Sequence, residues 1–188
     1  MAVPAWYPLL LALVGLQRLR ELRLSRRRER DLATGRQAAA ATYPLMVALH
    51  VALFAAPLLE AATLRRRPRA PLLWVGVLGG ATALRWWSIR SLGAAWNVRA
   101  VVPSDLRPVT GGPYRLIRHP NYLAVALEFL ALPMAGGARL SALVLSALNG
   151  VVLWDRIRQE EELLGRVPGY EETFGRRARL IPGIFSAR

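Results

Sequence analysis

Apolar and polar residues occupy this chain in long blocks, and those blocks set its predicted elements. Residues 2–16 are apolar throughout, residues 18–36 hold eight arginines against three acids, and residues 38–64 are again mostly apolar. An arginine cluster at 65–69 separates that run from a third at 71–84. Two more, 121–134 and 140–154, are joined by Ala-Gly-Gly-Ala-Arg. About 20 apolar residues are needed for a helix to span a bilayer. The pattern predicts an all-α integral membrane protein with about five transmembrane helices. The first run is short, but an arginine cluster follows it and no basic segment precedes it. It therefore reads as a retained first helix, extended through Gln17 to Leu24, rather than as a signal peptide. Pro133, Gly136 and Gly137 predict a tight hairpin between the last two runs, the second continuing as an amphipathic helix to Leu164.

The whole of 1–188 reads as one domain, with three spans in 1–90 and a catalytic part containing the hairpin in 91–188. Trp6 and Tyr7 suit one membrane interface, and Trp86 and Trp87 the other, with Arg85 and Arg90 marking the return to water. Gly76 and Gly80 have a spacing that allows close helix approach. The arginines of 18–36 belong in the cytoplasm by the positive-inside rule. Five spans then put the N-terminus outside and the C-terminus inside. The cluster Arg65-Arg66-Arg67-Pro68-Arg69 opposes this, with four arginines on the outer side. A second helix that dips and returns would remove the conflict.

Composition sharpens the class. The chain is 54% hydrophobic with a mean hydropathy of +0.26, yet carries a net charge of +14. All 26 basic residues are arginine. Because the arginines flank apolar runs, they point to membrane lipids and not to nucleic acid. The tail from Pro168 reads as a cytoplasmic segment against an anionic leaflet. Absence of cysteine excludes disulfides and thiolate metal sites, and two distant histidines leave no basis for a zinc site.

Histidine and carboxylates inside the apolar runs are few: His50, Glu60 and Glu128. For His50, satisfaction by a neighbouring helix or a backbone carbonyl is the simpler account. Glu128 is costly in lipid unless it faces protein or water. The longest polar segment, 91–118, carries Trp96, Val98, Val101 and Val102, which argue for order. It ends in Gly-Gly-Pro-Tyr-Arg-Leu-Ile-Arg-His-Pro-Asn-Tyr. Gly111, Gly112 and Pro113 predict a turn, and Pro120 predicts the first turn of a helix with His119 at its entrance. Unpaired N–H groups there favour an anion. A loop-to-helix junction whose arginines face lipid heads is the rival reading. A second cluster, Arg156 to Glu162, places Arg156 and Glu160 on one helix face at i and i+4. Their alternatives are a solvated surface pair or a site at the mouth of the membrane helix.

Gly112-Pro-Tyr114, Arg118-His119-Pro120-Asn121-Tyr122 and then Arg156-Ile-x-x-Glu160-Glu161-x-x-Leu164 around a membrane hairpin resemble the isoprenylcysteine carboxyl methyltransferase family. Leu92-Gly93, Trp96, Leu106-x-Pro-Val109 and Arg179-Leu-Ile-Pro182 share the resemblance, which covers about 85–182. It implies a membrane enzyme moving a methyl group from S-adenosyl-L-methionine to a lipophilic small-molecule substrate. Pro108, Val109, Tyr114, His119, Pro120, Asn121, Tyr122 and Glu160 are then the expected cofactor-binding residues, in a cytoplasmic site formed by loop and C-terminal segments. Arg156 is the expected catalytic residue, facing the acceptor. The lysine-free, alanine- and arginine-rich sequence looks like the bacterial branch associated with O-methylation of alkylpyrone-type acceptors. A prenylcysteine-like carboxylate is the second choice of acceptor, and the bacterial inner membrane is the expected location. A polybasic membrane scaffold and a phospholipid N-methyltransferase are the competing readings.

Overall fold

The computed structural model describes residues 4–31, 36–38, 40–64, 67–102 and 108–181. Leu106, Pro182, Arg65 and Arg66 lie outside them. Five long helices make up most of the fold: α1 (Trp6–Asp31), α2 (Tyr43–Leu64), α3 (Pro71–Leu92), α4 (Pro120–Ala135) and α5 (Arg139–Leu164). A short α6 (Tyr170–Phe174) follows. The strands β1 (Arg36–Gln37) and β2 (Val101–Val102) pair antiparallel in one two-residue ribbon.

Among the described residues, three helices are long and apolar enough to cross a membrane: α2, α5, and α3 taken with the turn that continues it to Ala95. α4 is apolar but only 16 residues long. α1 has the length, 26 residues, yet its C-terminal half is heavily charged. α2 is uninterrupted for 22 residues, with Pro57 inside it. That leaves no dip-and-return in this segment. The carbonyl freed by such a proline is tolerated when neighbouring packing compensates.

The core passes through all five helices. Tyr7, Leu11 and Val14 of α1 meet Leu49 and Leu53 of α2, Phe129 and Leu132 of α4, and Leu145 and Val152 of α5. Opposite them, leucines such as Leu9, Leu13, Leu72, Leu73 and Leu143 face outward in a continuous apolar coat. A coat of that extent suits lipid, since soluble monomers rarely expose such area.

Buried charges tie the helices together at one level. Arg18 of α1 pairs with Glu128 of α4 and with Glu21. Glu21 also accepts from Arg85 Nε of α3 at 2.8 Å. Arg85 is therefore buried against Glu21 and does not itself face water. Glu128, 2% exposed, faces protein, as its charge requires. His50 donates through Nδ1 to the Met46 carbonyl at 2.8 Å, one turn back in its own helix. The backbone-carbonyl account of this histidine holds.

The helices share two ends. At one end, Glu60 of α2 accepts from the Leu140 and Ser141 amides at 3.0 and 2.7 Å and so caps α5. There too the α4–α5 turn passes over Tyr7. A Cβ on Gly136 would lie 2.2 Å from that ring, so only glycine fits. Gly76 and Gly80 have no neighbour within 4 Å of an added Cβ, so their spacing brings no helix of this chain close. The opposite end gathers the C-termini of α1, α3 and α5 with the N-termini of α2 and α4. All the loop and tail segments that carry candidate chemistry meet there.

Candidate functional site

Three segments converge at that end. The first is the loop after α3. Asn97 staples it: its Nδ2 donates to the Ala95 and Val101 carbonyls at 3.2 and 2.9 Å, while its Oδ1 accepts from the Val101 amide at 2.8 Å. Ala100 takes the left-handed conformation (φ 53°) inside this turn, an uncommon state for a non-glycine residue. Its carbonyl accepts from the Ala38 amide at 3.0 Å. Ser25 of α1 accepts from the Val98 amide at 2.8 Å, and Arg28 stacks 5.7 Å from the Trp96 ring centroid. The arginine-rich half of α1 thus buttresses the loop.

The second segment is the turn into α4. Gly112 has φ +59°, and an added Cβ would meet Ser91 Oγ at 2.0 Å. This position requires glycine on both counts. The 3-10 turn Gly112–Arg115 follows, placing Tyr114 inward. His119 is the residue before α4, Pro120 the first inside it. The turn, the proline and the histidine sit as the sequence predicts. The imidazole, however, is engaged: its Nε2 lies 3.1 Å from Glu161 Oε1. The anion it meets is a carboxylate of the protein itself.

The third segment is the end of α5 and the tail. Glu160 accepts from the Tyr122 hydroxyl. Glu161 is a hub, accepting from Arg118 Nη1 at 3.4 Å and Arg179 Nε at 2.8 Å as well as facing His119. The tail folds back over these residues. Backbone amides of Arg118 and His119 donate to the Ala178 and Arg179 carbonyls at 2.9 and 3.0 Å. Arg118 side-chain nitrogens add bonds to the Arg177 and Gly175 carbonyls at 2.8 and 2.7 Å. Arg177 donates to the Tyr114 carbonyl at 2.7 Å. Reading the tail arginines as a surface for the leaflet is thus corrected: Arg177 and Arg179 close the site, and of this group Arg176 is exposed.

Between the segments lies a cavity of about 110 Å³. Pro108, Val109, Tyr114, His119, Asn121, Tyr122 and Glu160 all line it. Pro120 is buried at the helix start behind them and serves the turn. Trp96, Asn97 and Ala100 from the first segment, and Val167, Tyr170 and Phe174 from the tail, complete the wall. Sequence reading passed over these tail residues. The signal was there, as apolar positions at 167, 170 and 174 have helical spacing. Burial, with the Glu160 carboxylate nearby, pushes the Tyr114 hydroxyl well above the ordinary tyrosine range. Burial, Glu161 and then Glu160 do the same for Tyr170. Both phenols stay neutral and available as donors.

Arg156 sits elsewhere. It is 2% exposed and does not line the cavity. Its guanidinium lies 5.9 Å from the Tyr122 ring centroid, and Nη2 donates to the Val98 carbonyl at 2.9 Å. Nε and Nη1 are buried without a partner among the described residues. Two cavity-lining side chains have orphaned atoms of the same kind, Asn121 Oδ1 and Trp96 Nε1. Buried polar atoms normally find partners, so these are the atoms a ligand would satisfy.

Residues 74–166, which include every residue from the first segment to Glu160, match the family described as isoprenylcysteine carboxyl methyltransferase. Over 163 residues the chain is also 31% identical to the uncharacterized protein YpbQ of Bacillus subtilis (strain 168). That similarity covers 83% of this chain and 95% of the relative. The chain belongs to the isoprenylcysteine carboxyl methyltransferase family. The family match begins inside α3, eleven residues before the resemblance drawn from the motifs, and ends just past the end of α5 at 166. It thus includes Arg85 of the buried charge cluster and stops short of the tail that closes the cavity.

Proposed function

We propose that this chain is a membrane-embedded O-methyltransferase that uses S-adenosyl-L-methionine and acts on a lipophilic acidic acceptor. An alkylpyrone-type hydroxyl is the preferred acceptor class, with a prenylcysteine-like carboxylate behind it. The observation that carries the reading is the single cavity lined by seven of the eight expected cofactor residues, in a chain of this methyltransferase family.

The donor set fits the cofactor. A sulfonium nucleoside presents an ammonium, a carboxylate, ribose hydroxyls and an adenine edge. Glu160 offers a carboxylate for the ammonium or a ribose hydroxyl, and Asn121 Oδ1 a free acceptor. Trp96 Nε1 offers a free donor. Apolar walls from Val109, Val167 and Phe174 suit a flat base. When bound, the cofactor supplies an electrophilic methyl group. The protein's own part is orientation. Tyr122 and Glu160 brace each other, the clipped tail excludes water, and Arg156 holds the acidic oxygen of the acceptor with Nε and Nη1. Holding two reactants in line provides much of the rate without a strong base. Arg156 packs against the Tyr122 ring, 5.9 Å from its centroid, and the proposal places the acceptor beside that pair.

Five crossings with the site on the cytoplasmic side of a bacterial inner membrane complete the proposal. α1 and α4 cross beside the three longer apolar helices, and the Arg18–Glu128 pair neutralises the charges buried between them. A phospholipid N-methyltransferase would present an amine to Arg156, a like-charge clash. A polybasic scaffold has no use for orphaned polar atoms around a cavity. Calorimetric titration of the detergent-purified protein with S-adenosylhomocysteine tests the proposal. Saturable one-site binding is expected, and its absence from folded protein would return the scaffold reading.

A further inference from the structure

α1 carries two stripes of opposite direction, and each changes chemistry at the same height. The inward stripe runs Tyr7, Leu11, Val14 and then Arg18, Glu21, Ser25, all buried or nearly so. The outward stripe runs Leu9, Leu13, Leu16 and then Arg20, Arg23, Arg27, all exposed. Steps of three and four keep each stripe on one face of the helix. The inward charges are neutralised by Arg85 and Glu128. The outward arginines form no ion pair or hydrogen bond among the described residues.

An independent marker fixes where this change lies in the membrane. Arg85 bonds Glu21 at 2.8 Å, so the exposed Trp86 and Trp87 next to it sit at the height of Arg20. Exposed tryptophans mark the boundary between hydrocarbon and headgroups. Arg27 lies about 10 Å along the helix beyond Arg20. The three arginines therefore climb the headgroup layer on a face that, one turn earlier, faces lipid tails. Water-exposed loop arginines would not continue a lipid-facing stripe.

We infer that Arg20, Arg23 and Arg27 form a binding ladder for anionic phospholipid headgroups of the leaflet on the cavity side. The guanidinium fork suits phosphate oxygens, and each basic group near an anionic surface is worth about fivefold in association. Because Ser25 and Arg28 of the same helix hold the loop at Val98 and Trp96, bound lipid braces the cavity wall. This inference needs the membrane setting but not the methyl-transfer reading.

Native mass spectrometry of the full chain in neutral detergent tests it, with phosphatidylglycerol and phosphatidylcholine as probes. The wild type should retain phosphatidylglycerol in preference to phosphatidylcholine. Arg20→Gln/Arg23→Gln/Arg27→Gln should lose more than tenfold of that preference, while Arg115→Gln/Arg158→Gln/Arg176→Gln, with equal charge removed elsewhere, should keep it. Equal loss in both triples, or no preference in the wild type, overturns the ladder. A wild-type arm covers failure of a variant to fold: retention of phosphatidylglycerol must fall as salt rises. Retention insensitive to salt also overturns the proposal, and so does full displacement by inorganic phosphate at equal concentration.

Discussion

At the residue scale, two adjacent glutamates separate ligand binding from architecture. Among the described residues Glu160 is bonded by the Tyr122 hydroxyl, and it lines the cavity. Glu161 has cationic partners on the α4 entrance and on the tail. Glu160→Gln should therefore weaken S-adenosylhomocysteine affinity about ten- to a hundredfold, the range of a lost charge-assisted bond, with little change in melting temperature. Glu161→Gln leaves Arg118 and Arg179 without their carboxylate. It should lower stability by about 3 kcal/mol and loosen the tail, so that limited proteolysis cuts near 175–179. His119→Ala should resemble Glu161→Gln in kind, since the imidazole contacts Glu161. Calorimetry and thermal melts on the same samples distinguish the two classes. If Glu160→Gln melts early and binds normally, the assignment of Glu160 to the ligand fails. Gly112 gives a sharper case. Gly112→Ala combines φ +59° with a 2.0 Å clash against Ser91, so it should cost about 2 kcal/mol or more and disturb Tyr114 first.

At the element scale, the buried charges decide how α1, α3 and α4 sit together. Glu128 lies on α4 about two turns after Asn121, so its pairing with Arg18 sets the rotation that aims Asn121 and Tyr122 at the cavity. Glu128→Gln leaves Arg18 with one carboxylate neighbour and should destabilise by about 3 kcal/mol, read as a lower melting temperature in detergent. The double change Arg18→Met with Glu128→Leu removes both charges and should recover most of that loss. Additive losses would mean that the pair is not the coupling element. The same charges explain what was and was not legible beforehand. Block length and hydropathy announce α2, α3 and α5, and Pro120 with Gly136 and Gly137 announces the hairpin. Arg85 reads as an exit to water because hydropathy counts its charge and cannot know that Glu21 faces it. The tail reads as a membrane-surface segment for a like reason. Its arginines serve backbone carbonyls and Glu161, contacts that exist only once residues 175–179 fold back on 114–119. Arg156 was singled out for its i,i+4 relation to Glu160, yet the two face different surroundings: Glu160 borders the cavity, while Arg156 lies behind Tyr122.

At the scale of the whole molecule, the distribution of charge between the two ends bears on topology. Among the described residues, the cavity end collects the α1 arginines together with Arg99, Arg115, Arg118, Arg158 and Arg176, while Arg67, Arg69 and Arg139 belong to the other. Counted over whole ends rather than neighbouring loops, the asymmetry is steep, and the strain caused by the 65–69 cluster shrinks to a minor term. That count supports the proposed five crossings with the cavity end in the cytoplasm, and so does the alternation of helix directions. The absence of native cysteine makes the arrangement directly measurable. Single exposed replacements, Arg69→Cys at the start of α3 and Arg176→Cys in the tail, introduce one thiol each without touching a buried contact. In intact cells a membrane-impermeant maleimide should label Arg69→Cys and leave Arg176→Cys unmodified until the membrane is permeabilised. The reverse pattern would invert the protein and turn the cavity away from cytoplasmic nucleotides. Labelling of both in intact cells would mean that the chain crosses an even number of times between residues 69 and 176. That outcome would overturn the proposed crossings of α3, α4 and α5, the three helices that separate the two positions.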